Sequence, residues 1–458
     1  MTISQTSSAT SDATDEVPLS PTQNFLRLFD QGGDIGPFSA RYNIVVGWRL
    51  RGPLDVGTLQ LAMDDVVARH DSLRASIARG DGPGHQVIHP PAPAYLTVRE
   101  LGDIPAGDRD RRAEELLGEL EAGSYSVADL PHLRAVLGRF DGADAVFALI
   151  VHHTASDGWS MQLLMRDIAA CYAVRRGYET TLPPARPYAE YVAERAAAAA
   201  DPAVEVAREY WRDKLRDARI LAVPTDHPRS AGLEKKSPVH RFSIPAELTS
   251  ATLALARGLR CSPFMVLHAA YNTLLHKLTG ATDLVIPTIA AGRNQPEFQD
   301  TVGPFFNFVP LRTVIDGCTT FRDVVERTRT TCIEAMAYDL PFVQIMGEAP
   351  ELMSPLTEDD KAACAFQVWQ FSTVMDRDVV GDIEYTEVRS RTMDQPDGTD
   401  IPDGALLTLD IDPSGEIFGN IAYNSNLYAE SSMIDMAVKF REVLRGGVTD
   451  PDAPLTRL

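Results

Sequence analysis

Apolar positions along this chain alternate between helical and strand-like spacing. Across residues 59–69, Leu59, Met63, Val66 and Val67 recur three to four apart, which predicts a helix with one buried side. Residues 85–89 and 95–98 read as short strands between Pro- and Gly-rich turns, and residues 111–123 as a charged helix. Residues 133–139 and 145–153 form a predicted hairpin about Asp141-Gly142. Its second strand carries the apolar run Val146-Phe147-Ala148-Leu149-Ile150-Val151. From Trp159 onward Met161, Leu164, Ile168 and Tyr172 return to helical spacing, ending at Gly177. Ser156 or Asp157 is placed to cap that helix.

Pro183, Pro184 and Pro187 then mark a connector, and Pro202 follows an alanine-rich helix. The second half predicts helices over 249–259 and 264–278, a strand over 284–289 and a largely helical stretch over 316–338. Strands follow at 366–371 and 406–411, and residues 431–444 close the chain as a helix. Helices and strands are interspersed in both halves, so the expected class is α/β with two lobes of similar size. The divisions read as a disordered lead-in over 1–18, a first lobe over 19–180, a connector over 181–242 and a second lobe over 243–458. No short-period repeat interrupts this plan.

The apolar run ends in His152-His153-Thr154-Ala155-Ser156-Asp157-Gly158. Adjacent side chains on a strand point to opposite faces, so one histidine can meet a substrate channel while its neighbour faces the interior. Neutral imidazole is the side chain best suited to proton abstraction near neutral pH. The spacing therefore suggests one working base, one supporting histidine and an acidic residue that fixes the turn.

Composition narrows the alternatives. Of 458 residues, 44% are hydrophobic and 23% charged, the profile of a globular chain with ample core. Asp and Glu outnumber Lys and Arg 64 to 43, and a formal charge of −21 disfavours nucleic acid and anionic membranes as partners. No eighteen-residue apolar run predicts a membrane span, and the Ser/Thr-rich start lacks the regions of a signal peptide. Cys171, Cys261, Cys318, Cys332 and Cys364 are scattered and odd in number, which reads as reduced thiols in a cytoplasmic protein. No phosphate loop, H-E-x-x-H or G-x-S-x-G motif occurs. His85 and His89 lie four apart, but Pro90 and Pro91 oppose the helix a metal pair would need, so no metal site is expected.

The histidine heptad resembles the His-His-x-x-x-Asp-Gly core of the condensation domains of nonribosomal peptide synthesis. Further segments match in the family's order: Tyr42-Asn43-Ile44, Arg69-His70-Asp71-Ser72-Leu73-Arg74, Tyr210-Trp211, Pro224-Thr225-Asp226, Ala291-Gly292-Arg293 and Val302-Gly303-Pro304-Phe305-Phe306-Asn307. Phe366-Gln367-Val368 and Tyr423-Asn424 continue the match, which covers roughly residues 19–445. The opening Leu19-Ser20-Pro21-Thr22-Gln23 lacks the family's alanine, and residues 337–343 keep Asp-x-Pro-Phe without its histidine-glutamine start.

The resemblance implies two chloramphenicol-acetyltransferase-like lobes forming a V-shaped pseudo-dimer with a central tunnel. It implies transfer of an aminoacyl or other acyl group from a carrier-protein thioester to the hydroxyl or amine of a small-molecule acceptor, giving an ester or amide in natural product biosynthesis. His153 is then the base or the positioner of the nucleophile, and Asp157 turns away to form a structural ion pair with Arg293. His152 is expected to fix the loop. Gly158 allows a backbone conformation or a close approach, and its N–H or that of Trp159, opening the helix, steadies developing charge. Asn307 orients loops near the tunnel or serves a plain turn, and Ser372 lines the acceptor side; Trp369 is expected to pack in the core, with a place beside Ser372 on the acceptor side as the other reading.

No adenylation motif and no Gly-Gly-x-Ser attachment site is present, so the chain reads as free-standing, with no cofactor of its own, and two lobes that already mimic a dimer make a monomer the expectation. The donor would ride on the phosphopantetheine arm of a discrete carrier protein. Free-standing members of the family occur in enediyne-type pathways. Two other readings stay open: an epimerase, because related epimerases share the heptad, and a catalytically silent module that binds carriers.

Overall fold

The structure, a computed structural model, describes all residues except 1–14, 31, 33–35, 80–81, 372–373 and 402. The predicted hairpin organises the first lobe. Leu133–Arg139 and Asp144–His152 pair antiparallel, with Leu133 opposite Val151, and Asn43–Arg51 lies on the other side with Asn43 opposite His152. Phe147, Leu149 and Val151 face a core shared with Trp48, Met63, Val66 and Leu164. Val146, Ala148 and Ile150 face a second cluster under the charged helix Arg109–Glu121. A strand covered on both faces reads as a continuous apolar run rather than an alternation, which is why this one stands out in the sequence.

The sheet has six strands, in the order Asp376–Val380, Ile383–Glu387, Asn43–Arg51, Asp144–His152, Leu133–Arg139, Tyr95–Glu100. Its first two strands come from the second half of the chain, so the expected boundary at 243 does not separate two self-contained lobes. Ile383 and Tyr385 are buried in the first lobe's core, and that burial holds the crossing hairpin in place. The outer strand Asp376–Val380 is polar and exposed, so it leaves little hydrophobic signal.

The second lobe is built on a mixed seven-stranded sheet. Its path runs Asn307–Val314, Asp283–Ala290, Lys361–Trp369, Gly404–Ile411, Ile417–Tyr423, Val239–Ile244, and Ala222–Pro224 pairs with the start of Lys361–Trp369. Helices Ala246–Gly258, Pro263–Thr279, Phe321–Ala337 and Glu430–Thr449 flank this lobe, close to where periodicity predicted them. Residues 181–242 are more than a connector. Helix Pro202–Lys214 buries Trp211, whose Nε1–H donates to the Tyr338 carbonyl at 2.8 Å. The end of the supposed lead-in is also ordered: Asp15–Pro18 pairs with His85–Ile88 in a three-stranded sheet completed by Ala75–Ala78. The remainder of that lead-in lies outside the described residues.

Candidate active site

His153 is the first residue past the end of strand Asp144–His152, where its backbone N–H donates to the Tyr42 carbonyl at 3.0 Å. Its Nδ1 lies 3.0 Å from the Ser156 carbonyl. A carbonyl only accepts, so Nδ1 carries the hydrogen and Nε2 keeps its lone pair. The ring is stacked on Tyr42 with centroids 5.1 Å apart and meets Phe306 edge-on at 4.8 Å. It stays half-buried. Desolvation lowers its pKa below the ordinary histidine value, against a smaller opposing pull from the Asp157 carboxylate. The imidazole is therefore a neutral, oriented acceptor.

His152 points the other way and is buried. Its Nε2–H donates to the Ser39 carbonyl at 3.0 Å, and Nδ1 faces the Thr154 hydroxyl at 2.7 Å. Burial pushes its pKa down to about 3, and that of His132, whose ring centroid is 6.0 Å away, down to about 4. Both nitrogens of His152 are occupied, so it fixes the loop and offers no acceptor to a substrate. The Thr154 carbonyl is held by Gln23 Nε2 at 3.1 Å, which ties the loop to the N-terminal helix Pro21–Arg27.

Asp157 caps helix Gly158–Arg175, accepting from the Ser160 N–H at 2.7 Å. Its carboxylate also takes Arg293 Nη2 at 3.1 Å and the Phe305 N–H at 3.0 Å. Arg293 reaches Ser160 Oγ at 2.7 Å and the carbonyls of Phe298 and Thr301, with its guanidinium 4.1 Å from the Phe305 ring centre. The pairing expected from sequence is thus present, and it latches the heptad to the second half of the chain. Gly292 beside it has a positive φ of 66°, and a Cβ there would lie 1.9 Å from the Phe305 carbonyl oxygen. Only glycine fits that crossing.

Gly158 is tight for another reason: a Cβ would meet Phe371 Cζ at 3.2 Å. Phe371 packs edge-on to Trp159 at 6.4 Å and beside Trp369 at 6.1 Å, so these three rings form one wall at the helix start. Trp369 is 37% exposed, which sets aside core packing as its role. Trp159 Nε1–H donates to the Gln299 carbonyl at 3.1 Å. Asn307 has its amide committed elsewhere. Oδ1 accepts from the Phe342 N–H at 3.1 Å and Nδ2 donates to the Leu340 carbonyl at 2.8 Å, so it holds the loop before helix Phe342–Glu348. Ser372 lies outside the described residues. Among the described residues no group of three or more His, Cys, Asp or Glu is arranged to hold a metal ion, and no helix is long and apolar enough to cross a membrane.

Tyr42, Phe306 and Phe371 are the site residues that roles assigned from sequence missed. Tyr42 and Phe306 sit in matched motifs, but only the fold shows their rings against His153. Phe371 carries no local signal.

The Condensation domain family matches residues 13–458. A linear gramicidin synthase of Brevibacillus parabrevis is 31% identical over 448 residues, covering 97% of this chain and 8% of that protein. A probable non-canonical nonribosomal peptide synthetase, CymA, of Salinispora arenicola is 32% identical over 435 residues, covering 92% of this chain and 5% of that protein. The chain therefore spans less than a tenth of these two relatives. The structure of SgcC5 from Streptomyces globisporus, in complex with (R)-(-)-1-(2-naphthyl)-1,2-ethanediol and sucrose, superposes with a TM-score of 0.92 at 46% identity. It covers 95% of this chain and 100% of that one. The X-domain from teicoplanin biosynthesis, at 24% identity, covers 97% of this chain and 98% of that one and shares the fold with a TM-score of 0.77. With the histidine heptad, its interlobe latch and a family match along nearly the whole length, the chain belongs to the condensation domain family.

Proposed function

We propose that this protein is a condensation enzyme of the acyltransferase class that moves an acyl group from a carrier-protein thioester onto a hydroxyl or amine of a small-molecule acceptor. The observation that carries the reading is the tautomer of His153: Nδ1–H is spent on the Ser156 carbonyl, leaving Nε2 free to accept a proton. Likeness to SgcC5, solved with a bound diol, supports a small hydroxyl-bearing acceptor. The carrier is a discrete protein, the two lobes form a V around a tunnel, and five free thiols fit a cytoplasmic setting.

In this mechanism the acceptor oxygen or nitrogen attacks the thioester carbonyl carbon while His153 Nε2 takes its proton. The C–S bond then breaks, and the proton passes from the imidazolium to the leaving thiolate. Holding both reactants in one cleft supplies effective molarities on the order of 10⁵ M or more. General-base help adds about 10²–10⁴-fold. Of the free N–H groups that begin helix Gly158–Arg175, the Asp157 cap takes that of Ser160. The amides of Gly158 and Trp159 remain, and they stabilise the developing oxyanion. Phe371 against Gly158 excludes water from that end.

The test is mass spectrometry of an acyl-loaded carrier protein with a panel of small alcohols and amines, run with wild type and His153→Ala. Enzyme-dependent acyl loss with a new ester or amide, absent in the variant, supports condensation. Exchange of the acyl α-hydrogen in deuterated water without transfer would turn the reading to epimerisation. Carrier binding with neither signal would turn it to a silent module.

A further inference from the structure

One turn beyond Gly158 on the same helix face, Gln162 Nε2 donates to Glu387 Oε2 at 3.1 Å. Glu387 ends the crossing strand Ile383–Glu387, and Arg389 follows two residues later. Arg389 is 4% exposed; it pairs with Asp410, and lies 3.6 Å from Glu387 and 3.5 Å from Asp412. Three carboxylates from both sheets thus surround one guanidinium, a surplus of negative charge that no other cation of the described residues meets by a salt bridge. The carboxylates keep 9–18% exposure, so they are neither sealed in the core nor open to bulk water.

Two further features show that the cluster is incomplete. Gln162 is 5% exposed, and the oxygen of the amide that serves Glu387 has no partner. A buried polar acceptor left unpaired costs stability unless something donates to it. Burial, together with the neighbouring carboxylates, holds Glu387 up at about 7 and Asp410 up at about 6, while Arg389 Nε and Nη1 make no hydrogen bond in the described residues. Asp410 is also the register partner of Trp369 in the parallel pair Lys361–Trp369 and Gly404–Ile411, which places both side chains on one face of the sheet. From there the aromatic wall of Trp369 and Phe371 leads back to Gly158. Aromatic faces attract cations.

We propose that this partly exposed cluster is a subsite for a protonated amine of the substrate, with Glu387 and Asp410 supplying the charge, Gln162 Oε1 a further acceptor, and Trp369 and Phe371 the wall. The inference rests on the condensation reading and names its substrate class. The amine is a bystander held as a cation and distinct from the reacting nucleophile, carried on the donor acyl group or on the acceptor.

The experiment compares each substrate with its des-amino isostere, in donor and acceptor separately, for wild type, Glu387→Gln, Asp410→Asn and the double variant. Turnover is read as kcat/KM. Binding is read by calorimetry with non-hydrolysable pantetheine-amide analogues of the donor and with the free acceptors. Wild type is expected to favour the amine-bearing member of one series by tenfold or more. The double variant is expected to lose that ratio while still processing the des-amino member. Equal binding of both members of each pair to wild type overturns the proposal, as does a ratio that survives in the double variant. Equal loss of both members with a lowered unfolding midpoint also overturns it, assigning the cluster to lobe docking alone. Selective binding without turnover keeps the subsite and instead sinks the condensation reading.

Discussion

Replacing Asp157 with alanine removes one carboxylate from three partners. The Ser160 and Phe305 N–H groups lose an acceptor, and Arg293, with a side chain 3% exposed, loses its counter-ion. Leaving one member of a buried pair uncompensated costs roughly 3–5 kcal/mol, and a lost cap alone about 1 kcal/mol. These are contacts of one network, so the costs overlap, and the expected total is about 3–5 kcal/mol. Asp157→Asn keeps a capping oxygen but turns an N–H₂ toward Arg293 or the Phe305 amide, where a donor meets a donor. It should cost nearly as much. Arg293→Met strips the latch from the other side, and the double variant should be far less damaged than the sum of the singles, because no unpaired charge remains. Urea unfolding followed by circular dichroism gives the midpoints, and turnover per folded molecule is measured in parallel. A loss below about 1 kcal/mol for Asp157→Ala, with turnover abolished, would refute the latch and make Asp157 part of the chemistry.

Other outcomes follow from the same geometry. His153→Ala should lower turnover by about 10²–10⁴-fold with little change in unfolding midpoint, since the half-buried ring makes one side-chain hydrogen bond; an unfolded variant would count against it. Because desolvation lowers the His153 pKa, the acid limb of the wild-type kcat/KM profile read with a des-amino substrate, which does not engage Glu387, should fall below pH 6.5, and a limb above that value contradicts a desolvated base. Gly292→Ala places a Cβ 1.9 Å from a backbone oxygen at a positive φ, so expression of folded protein should collapse, whereas an unchanged midpoint would discredit the crossing. Glu387 is held at about 7, so the folded state binds the extra proton between about pH 4.5 and 7 and stability falls as pH rises through that window. Glu387→Gln should flatten that slope, by an amount on the order of 3 kcal/mol across the window, and parallel slopes for the two proteins would count against the shift.

How much of this was legible in the sequence follows from the range of the interactions. The apolar run 146–151 is buried on both faces, and the heptad after it is a local object whose strand end, turn and cap all lie within a few residues. The Asp157–Arg293 pair spans 136 residues and came only from family resemblance. Asn307 shows the limit of that route. Its motif places it near the site, but an amide side chain spent on the Leu340 carbonyl and Phe342 amide cannot be told from a substrate-facing one without coordinates. The crossing hairpin was unreadable because its outer strand is polar and its inner one completes a sheet begun more than 300 residues earlier. Glu387 and Asp410 likewise carry no local pattern; the hydrogen bond from Gln162, the pairing of Trp369 with Asp410 and the packing of Phe371 on Gly158 bring them to the heptad.

The proposed base is oriented by bonds that begin on the other side of the molecule. His153 owes its tautomer to the Ser156 carbonyl, and Ser156 adjoins the residue that both caps the helix and binds Arg293 and the Phe305 amide. Phe306, next in the chain to Phe305, supplies the edge against the His153 ring, and its carbonyl is held by Thr22 Oγ1 at 2.8 Å. A rotation of one lobe against the other would therefore move the ring edge and the latch together, and with them the direction of Nε2. His152, locked to Ser39 and Thr154, prevents the loop from following such a movement freely. The latch is thus a device for positioning as well as for stability. Variants that loosen it without unfolding the protein should lose kcat more than KM, because the acceptor still binds while the base that should receive its proton points elsewhere.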